Sequence, residues 1–209
     1  MNTVELIPHD HTVRLNQVVD YAWCMFQSQF IYGRHPILKE APFQHHFATI
    51  LSAVGSLYCV ERSDVFFVDL EQRCEDVKGK TKYIDITCSF TNVDVSCAIE
   101  LKFKTAKQGA QDHGRIDAYV DIEAVELVCE SRFTFGRFFM ITDSPVYVNA
   151  SKRGVGTVFC LHDGHQVTPG KRLCCPTSKG REHVAVTLKN PFVFEWKKCR
   201  EWHFLELRV

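Results

Sequence analysis

The stretch KYIDITCSFTNVDVSCAIELKFKTAK, Lys82 to Lys107, constrains this fold most, because both of its halves alternate apolar and polar residues about a short polar turn. A two-residue period is that of a β-strand, whose successive side chains point to opposite faces. In the second half Ile99, Leu101 and Phe103 fall on one face and Ala98, Glu100 and Lys102 on the other. In the first half Ile84, Ile86 and Cys88 share a face, opposite Tyr83, Asp85 and Thr87. Pairing the halves as a hairpin sets Asp85 beside Glu100. Two carboxylates and the Lys102 ammonium then meet on one patch, which suits a hard divalent cation. The same residues also suit a solvated strand face whose cross-strand ion pairs contribute under about 1 kcal/mol.

Upstream, Leu15, Val18, Val19, Ala22, Trp23, Phe26 and Phe30 recur at three- and four-residue steps and predict an amphipathic helix from His11 to about Phe30. Gly33, Pro36 and Pro42 break the pattern, and Pro42 suits the first turn of a second helix that runs to about Tyr58. Counting back three from Phe43 puts Glu40 in line with that helix's apolar stripe, facing the sheet. There it can serve the acidic patch or stabilise the helix N-terminus. VFFVDL at 65–70 reads as a strand and Lys78-Gly79-Lys80 as a turn. QGAQDHG reads as a loop, and a third helix follows from Asp112 to Glu130. Its acids Asp112, Asp117, Asp121, Glu123, Glu126 and Glu130, beside Arg115, read as a solvated surface. RFFMIT at 137–142 and PVYV at 145–148 read as strands, and TVFCL, HVAVTL, FVFEW and WHFLELRV predict a β-rich remainder.

From Glu40 onward the order is helix, three strands, helix, strand, with Asp85 on the second strand and Glu100-x-Lys102 on the third. This order and these residues resemble the PD-(D/E)XK nuclease superfamily over residues 40 to 148, although Ile84 stands where the family often has proline. The resemblance implies an α/β protein with a restriction-endonuclease-like core. Residues 1–39 would supply an N-terminal helix and linker, 40–149 the core, and 150–209 a β-rich C-terminal extension of the same domain. It implies magnesium or manganese held by Asp85, Glu100 and Glu40, with Asp85, Glu100 and Lys102 as the catalytic set. The implied reaction is hydrolysis of nucleic-acid phosphodiesters, with DNA ahead of RNA as partner, no membrane, and room for a homodimer. An inactive nuclease-like fold acting as a nucleic-acid or protein interaction module is the alternative.

The formal net charge is zero, so contacts to a polyanion must come from local patches. Lys102, Lys104 and Lys107 form one candidate patch, and Lys171, Arg172, Lys179 and Arg181 another; Gln108 and Gln111 could add polar contacts. Ten Cys with no CxxC pair, and no basic and apolar leader, predict a cytoplasmic protein with free thiols, no disulfide and no structural zinc. Cys59, Cys88, Cys97 and Cys129 sit in apolar runs and read as packing residues. Cys160, His162, His165, Cys174 and Cys175 are ligand types that zinc selects, but their spacing matches no standard finger. They read as buried thiols with loop histidines, and His45 and His46 read as structural.

Overall fold

The computed structural model describes residues 6–175 and 180–209. Two helices come first, α1 (His11–Ile31) and α2 (Glu40–Leu57). Three strands follow, β1 (Phe66–Val77), β2 (Lys80–Phe90) and β3 (Val95–Lys104), then α3 (Gln111–Cys129) and β4 (Phe135–Thr142). The remainder holds the single turn α4 (Pro145–Val148), a 3-10 helix (Gly154–Thr157), and the short strands β5 (His165–Gln166), β6 (Arg172–Cys174), β7 (Ala185–Thr187) and β8 (Val193–Phe194). It closes with β9 (Trp196–Cys199) and β10 (Trp202–Arg208).

One six-stranded sheet runs in the order β1-β2-β3-β4-β10-β9. All of its pairs are antiparallel except β3 with β4. Parallel neighbours need a long crossover, and α3 supplies it. On one face α1 and α2 pack with Ile86, Cys88, Phe90, Ile99, Leu101 and Phe103. Trp23 anchors that layer, its ring stacked on Phe139 at 4.4 Å and within 6.0 Å of Phe26, Phe43 and Phe47. Each fully buried ring of this kind stabilises the fold by about 1.5–3 kcal/mol. On the other face α3 packs through Ile116, Tyr119 and Ile122 onto Phe138 and Met140, and through Val125 and Val128 onto Ile84 and Ala98. Covered on both sides, β3 is buried from Cys97 to Leu101.

Polar anchors set where the helices start. Asp10 accepts from Thr12 N at 2.8 Å and Val13 N at 3.0 Å, capping α1. In the next turn Arg14, fully buried, donates to Asp64 Oδ2 at 2.7 Å and ties α1 to the loop before β1. Among the described residues no helix is long and apolar enough to cross a membrane.

Several local expectations fail for identifiable reasons. PVYV is helical, because Pro145 sits in a first turn, where its fixed φ suits a helix and its missing N–H costs nothing. TVFCL is no strand: Thr157 ends the 3-10 helix that begins at Gly154, whose φ of +70° is available to glycine without strain. The strand begun by VFFVDL continues to Val77, and α3 begins at Gln111, inside the expected loop. The acidic surface of α3 is not solvated as a whole, since Asp121, Glu123 and Glu126 are buried. Glu126 accepts from Lys189 N and Asn190 N, and Glu123 from Thr187 N, so these acids satisfy the backbone of the C-terminal segment. Ile84 packs beside Ala98 and Val125, on the opposite face from Ile86 and Cys88. Strict alternation ends at Asp85, as the site explains.

Candidate active site

The β2–β3 ladder runs from Phe90 opposite Val95 to Ile86 opposite Ile99. One further step sets Asp85 against Glu100. There the side chain takes over from the backbone, and Asp85 Oδ2 accepts from Leu101 N at 2.7 Å. The β1 side is also irregular, because Glu71 has φ +53° between the Leu70–Ile86 and Gln72–Ile84 pairs. Gln44 of α2 stitches this spot, donating to Asp85 O at 2.6 Å and to Glu71 Oε1 at 2.9 Å. The chain therefore turns locally at Asp85, which aims its carboxylate across β3 and sends Ile84 to the far face.

Glu100 points to the α3 side of the sheet and is 1% exposed, so it is not on a solvated strand face. Two groups absent from the sequence-based site meet it there, Asp121 of α3 and Lys82 of β2. Lys82 Nζ lies 3.2 Å from Glu100 and 2.7 Å from Asp121, and Lys102 Nζ lies 2.6 Å from Asp121 Oδ2. Glu40 closes the group from the start of α2. Its Oε1 accepts from Phe103 N at 3.3 Å and lies 3.4 Å from Lys104 Nζ and 3.8 Å from Lys102 Nζ. Glu40 thus reaches the sheet at the C-terminal end of the interior strand β3, as the helix count predicts. The four expected site residues are joined by a chain of contacts: Glu40 to Lys102, Lys102 to Asp121, and Asp121 through Lys82 to Glu100, with Asp85 one register step away on β2.

Asp121 was legible in part. With Ala118, Val125 and Val128 it repeats at three- and four-residue steps along the buried side of α3. A carboxylate in that stripe has to meet a partner on the sheet. Lys82 carried no comparable signal.

Burial shapes the charge state. It pushes the Glu100 carboxyl well above the usual carboxylate range, reinforced by Asp121 and then Asp85. Burial also raises Asp85, against the opposing pull of the Leu101 N–H and Lys102. For Lys102 burial opposes the charge but is outweighed by Asp121 and then Glu40, so the ammonium is held more firmly than in water. Lys82 behaves in the same way through Asp121 and Glu100.

The donor type suits a hard cation, since every acid offers carboxylate oxygens, but lysines stand between the acids, and among the described residues no three acids bring their oxygens within 4.8 Å of one another. Glu100 Oε1 and Asp121 Oδ2 are buried without an aligned hydrogen-bond donor, although ammoniums lie within ion-pair distance. Beside Glu40 opens a cleft of about 430 Å³ whose walls include Lys104, Gln108, His113 and Asp117. Arg181 pairs with Asp117 at 2.7 Å, on the wall of that cleft, and Lys107 is exposed nearby in sequence. Gln111 is the first residue of α3. Lys171 lines a different, smaller cavity, Arg172 is exposed on β6, and Lys179 lies outside the described residues. The basic residues expected to contact phosphate are therefore divided between two places.

The ten cysteines are all free thiols. Cys88 and Cys97 are buried against each other across β2 and β3, whereas Cys59 and Cys129 are only partly covered. No family model, curated protein or solved structure matches this chain.

Proposed function

We propose that this protein is a magnesium-dependent nuclease with a PD-(D/E)XK core, hydrolysing nucleic-acid phosphodiester bonds at the Asp85, Glu100 and Lys102 cluster. The observation that carries this reading is the linked group of Asp85, Glu100, Lys102 and Glu40 from three separate elements, with Glu40 on the wall of an open cleft and Glu100 buried behind it. Asp85 and Glu100 would hold the ion, with Glu40 as a further ligand or through water. When bound, magnesium would supply charge stabilisation at the scissile phosphate and make a coordinated water more acidic.

The remaining roles belong to the side chains. Lys102, held protonated by Asp121 and Glu40, orients the attacking water and offsets negative charge that builds on phosphorus. Asp121 is a positioning residue: it fixes the Lys102 ammonium and takes no part in bond breaking. Lys104 and Gln108, on the cleft wall, offer contacts to the backbone of the substrate.

One observation favours a second reading, an inactive module with the same core. Lys82 and Lys102 already neutralise the buried acids, and Glu100 is shut from solvent. Assays on supercoiled, linear, branched and single-stranded substrates, with and without magnesium or manganese, separate the two. The nuclease reading expects metal-dependent cleavage that falls at least about a hundredfold in Asp85→Ala and Glu100→Ala. Lys102→Ala should keep calorimetric magnesium binding and lose turnover. Wild-type protein that cleaves none of these substrates would leave the interaction module as the function.

A further inference from the structure

The geometry points to a second metal site, for a borderline-soft divalent ion such as zinc, formed by Cys160, His162 and His165 against Tyr119 of α3. The spacing of these residues matches no standard finger, and the expectation from sequence was of no zinc. Folding changes the picture: the thiol and one nitrogen from each imidazole lie within 4.8 Å of one another. Zinc bonds of about 2.0–2.3 Å in a tetrahedron put ligand atoms about 3.5 Å apart. Side-chain rotations of about 1 Å close the difference, and all three side chains are partly exposed, so they have room to rotate.

The backbone under them is pinned at nearly every residue. Cys160 O accepts from the Tyr119 hydroxyl at 2.6 Å, and Leu161 O from the Trp196 indole at 2.6 Å. Asp163 N donates to Val148 O at 2.9 Å while Asp163 Oδ1 accepts from Trp196 N at 2.9 Å. Gly164 N donates to Phe194 O at 2.8 Å, His165 N to His162 O at 3.1 Å, and β5 pairs with β8. Gly164 has φ +74°, the backbone state that brings the two histidines back to the same side. A loop held this firmly presents its ligands without large ordering costs.

Ring orientation adds to the case. His162 Nδ1 lies 2.9 Å from Asp163 O, so a proton on Nδ1 donates to that carbonyl and leaves Nε2 with its lone pair free. Cys160 Sγ now contacts Gly156 O at 3.3 Å; on binding, its proton passes to solvent and the thiolate takes the metal. A cavity of about 60 Å³ adjoins Cys160 and His165, with Tyr119 and Lys171 in its wall. It is large enough for water as the fourth ligand, giving three protein ligands and one solvent position. This site is independent of the acidic cluster, whose carboxylates select hard ions.

Cobalt titration of the full chain after dialysis against chelator tests the assignment. One equivalent of Co2+ should give a thiolate-to-cobalt charge-transfer band and tetrahedral d–d absorption. Zn2+ should displace it, and a large excess of Mg2+ should not. Cys160→Ser should abolish the charge-transfer band, and His162→Ala or His165→Ala should each weaken Zn2+ at least tenfold. Cys174→Ser should leave the spectrum unchanged. If Cys160→Ser fails to fold by circular dichroism, the histidine variants carry the test. Absence of the band in wild-type protein, its displacement by Mg2+, unchanged Zn2+ affinity in both histidine variants, or its loss in Cys174→Ser would each overturn the site.

Discussion

Replacing Asp121 by alanine removes the carboxylate that both Lys82 and Lys102 touch, and the loss can be estimated from the geometry. At 2.7 and 2.6 Å the two pairs are each worth about 6 kcal/mol before desolvation, taking an effective dielectric near 20. Desolvation of three buried groups cancels most of this. What the substitution exposes is the penalty of stranding ammoniums in a covered site, typically about 3–5 kcal/mol. Lys82 is 26% exposed and can turn toward water, whereas Lys102, at 12%, keeps one carboxylate within ion-pair distance, Glu40 at 3.8 Å. The expected loss is therefore about 3 kcal/mol, the low end of that range. Urea denaturation of the metal-free protein measures it, with an unchanged m-value. In a Lys102→Met background the same substitution should cost at least about 1 kcal/mol less, because one stranded charge is gone. A loss under about 1 kcal/mol, or an equal loss in both backgrounds, would refute the buried-pair reasoning.

Glu40→Gln should lower activity at least about tenfold and raise the magnesium requirement while changing stability by no more than about 1 kcal/mol. Full activity in that variant would confine Glu40 to bonding the Phe103 N–H and the lysines. Asp85 and Glu100 hold protons more tightly folded than unfolded, so the native state binds more protons above the ordinary carboxylate range. Their contribution to metal-free stability must therefore fall as pH rises from about 4 through their raised folded values, and magnesium should oppose the fall. Identical pH slopes in wild type and the Asp85→Asn, Glu100→Gln double variant would contradict this. Asp64 works in the other direction: burial opposes its charge, yet the Glu61 N–H, His11, the Val60 N–H and Arg14 together hold its carboxyl low. Its contribution is present above the ordinary carboxylate range and is lost only at strongly acid pH, clear of the Asp85 and Glu100 window. Asp64→Ala should cost about 3 kcal/mol or more in a thermal or urea unfolding experiment, since Arg14 remains fully buried with only carbonyl acceptors. A change under about 1 kcal/mol would show that those carbonyls suffice.

The sequence alone carried the period of each long element and the faces that follow from it. Periodicity is local, so it reached α1, α2, α3, β2, β3 and β4 nearly to their ends, and it lined Glu40 up with the sheet and Glu100 with Lys102 on one face of β3. It could not find what depends on partners distant in the chain. Asp121 and Glu126 looked like surface acids because their composition is that of a solvated helix; only the docking of α3 on β3 and of residues 187–190 on α3 buries them. The turn of the chain at Asp85 needs Glu71 and Gln44 from two other elements, so alternation counted along β2 put Ile84 on the wrong face. Short apolar runs such as PVYV and TVFCL fit a strand or a helical turn equally well, and Pro145 and Gly154 decided them through backbone geometry. The same limit hid the meeting of Cys160, His162 and His165, because a ligand set is defined by distances in space, and those are fixed here by Tyr119, Trp196 and β8.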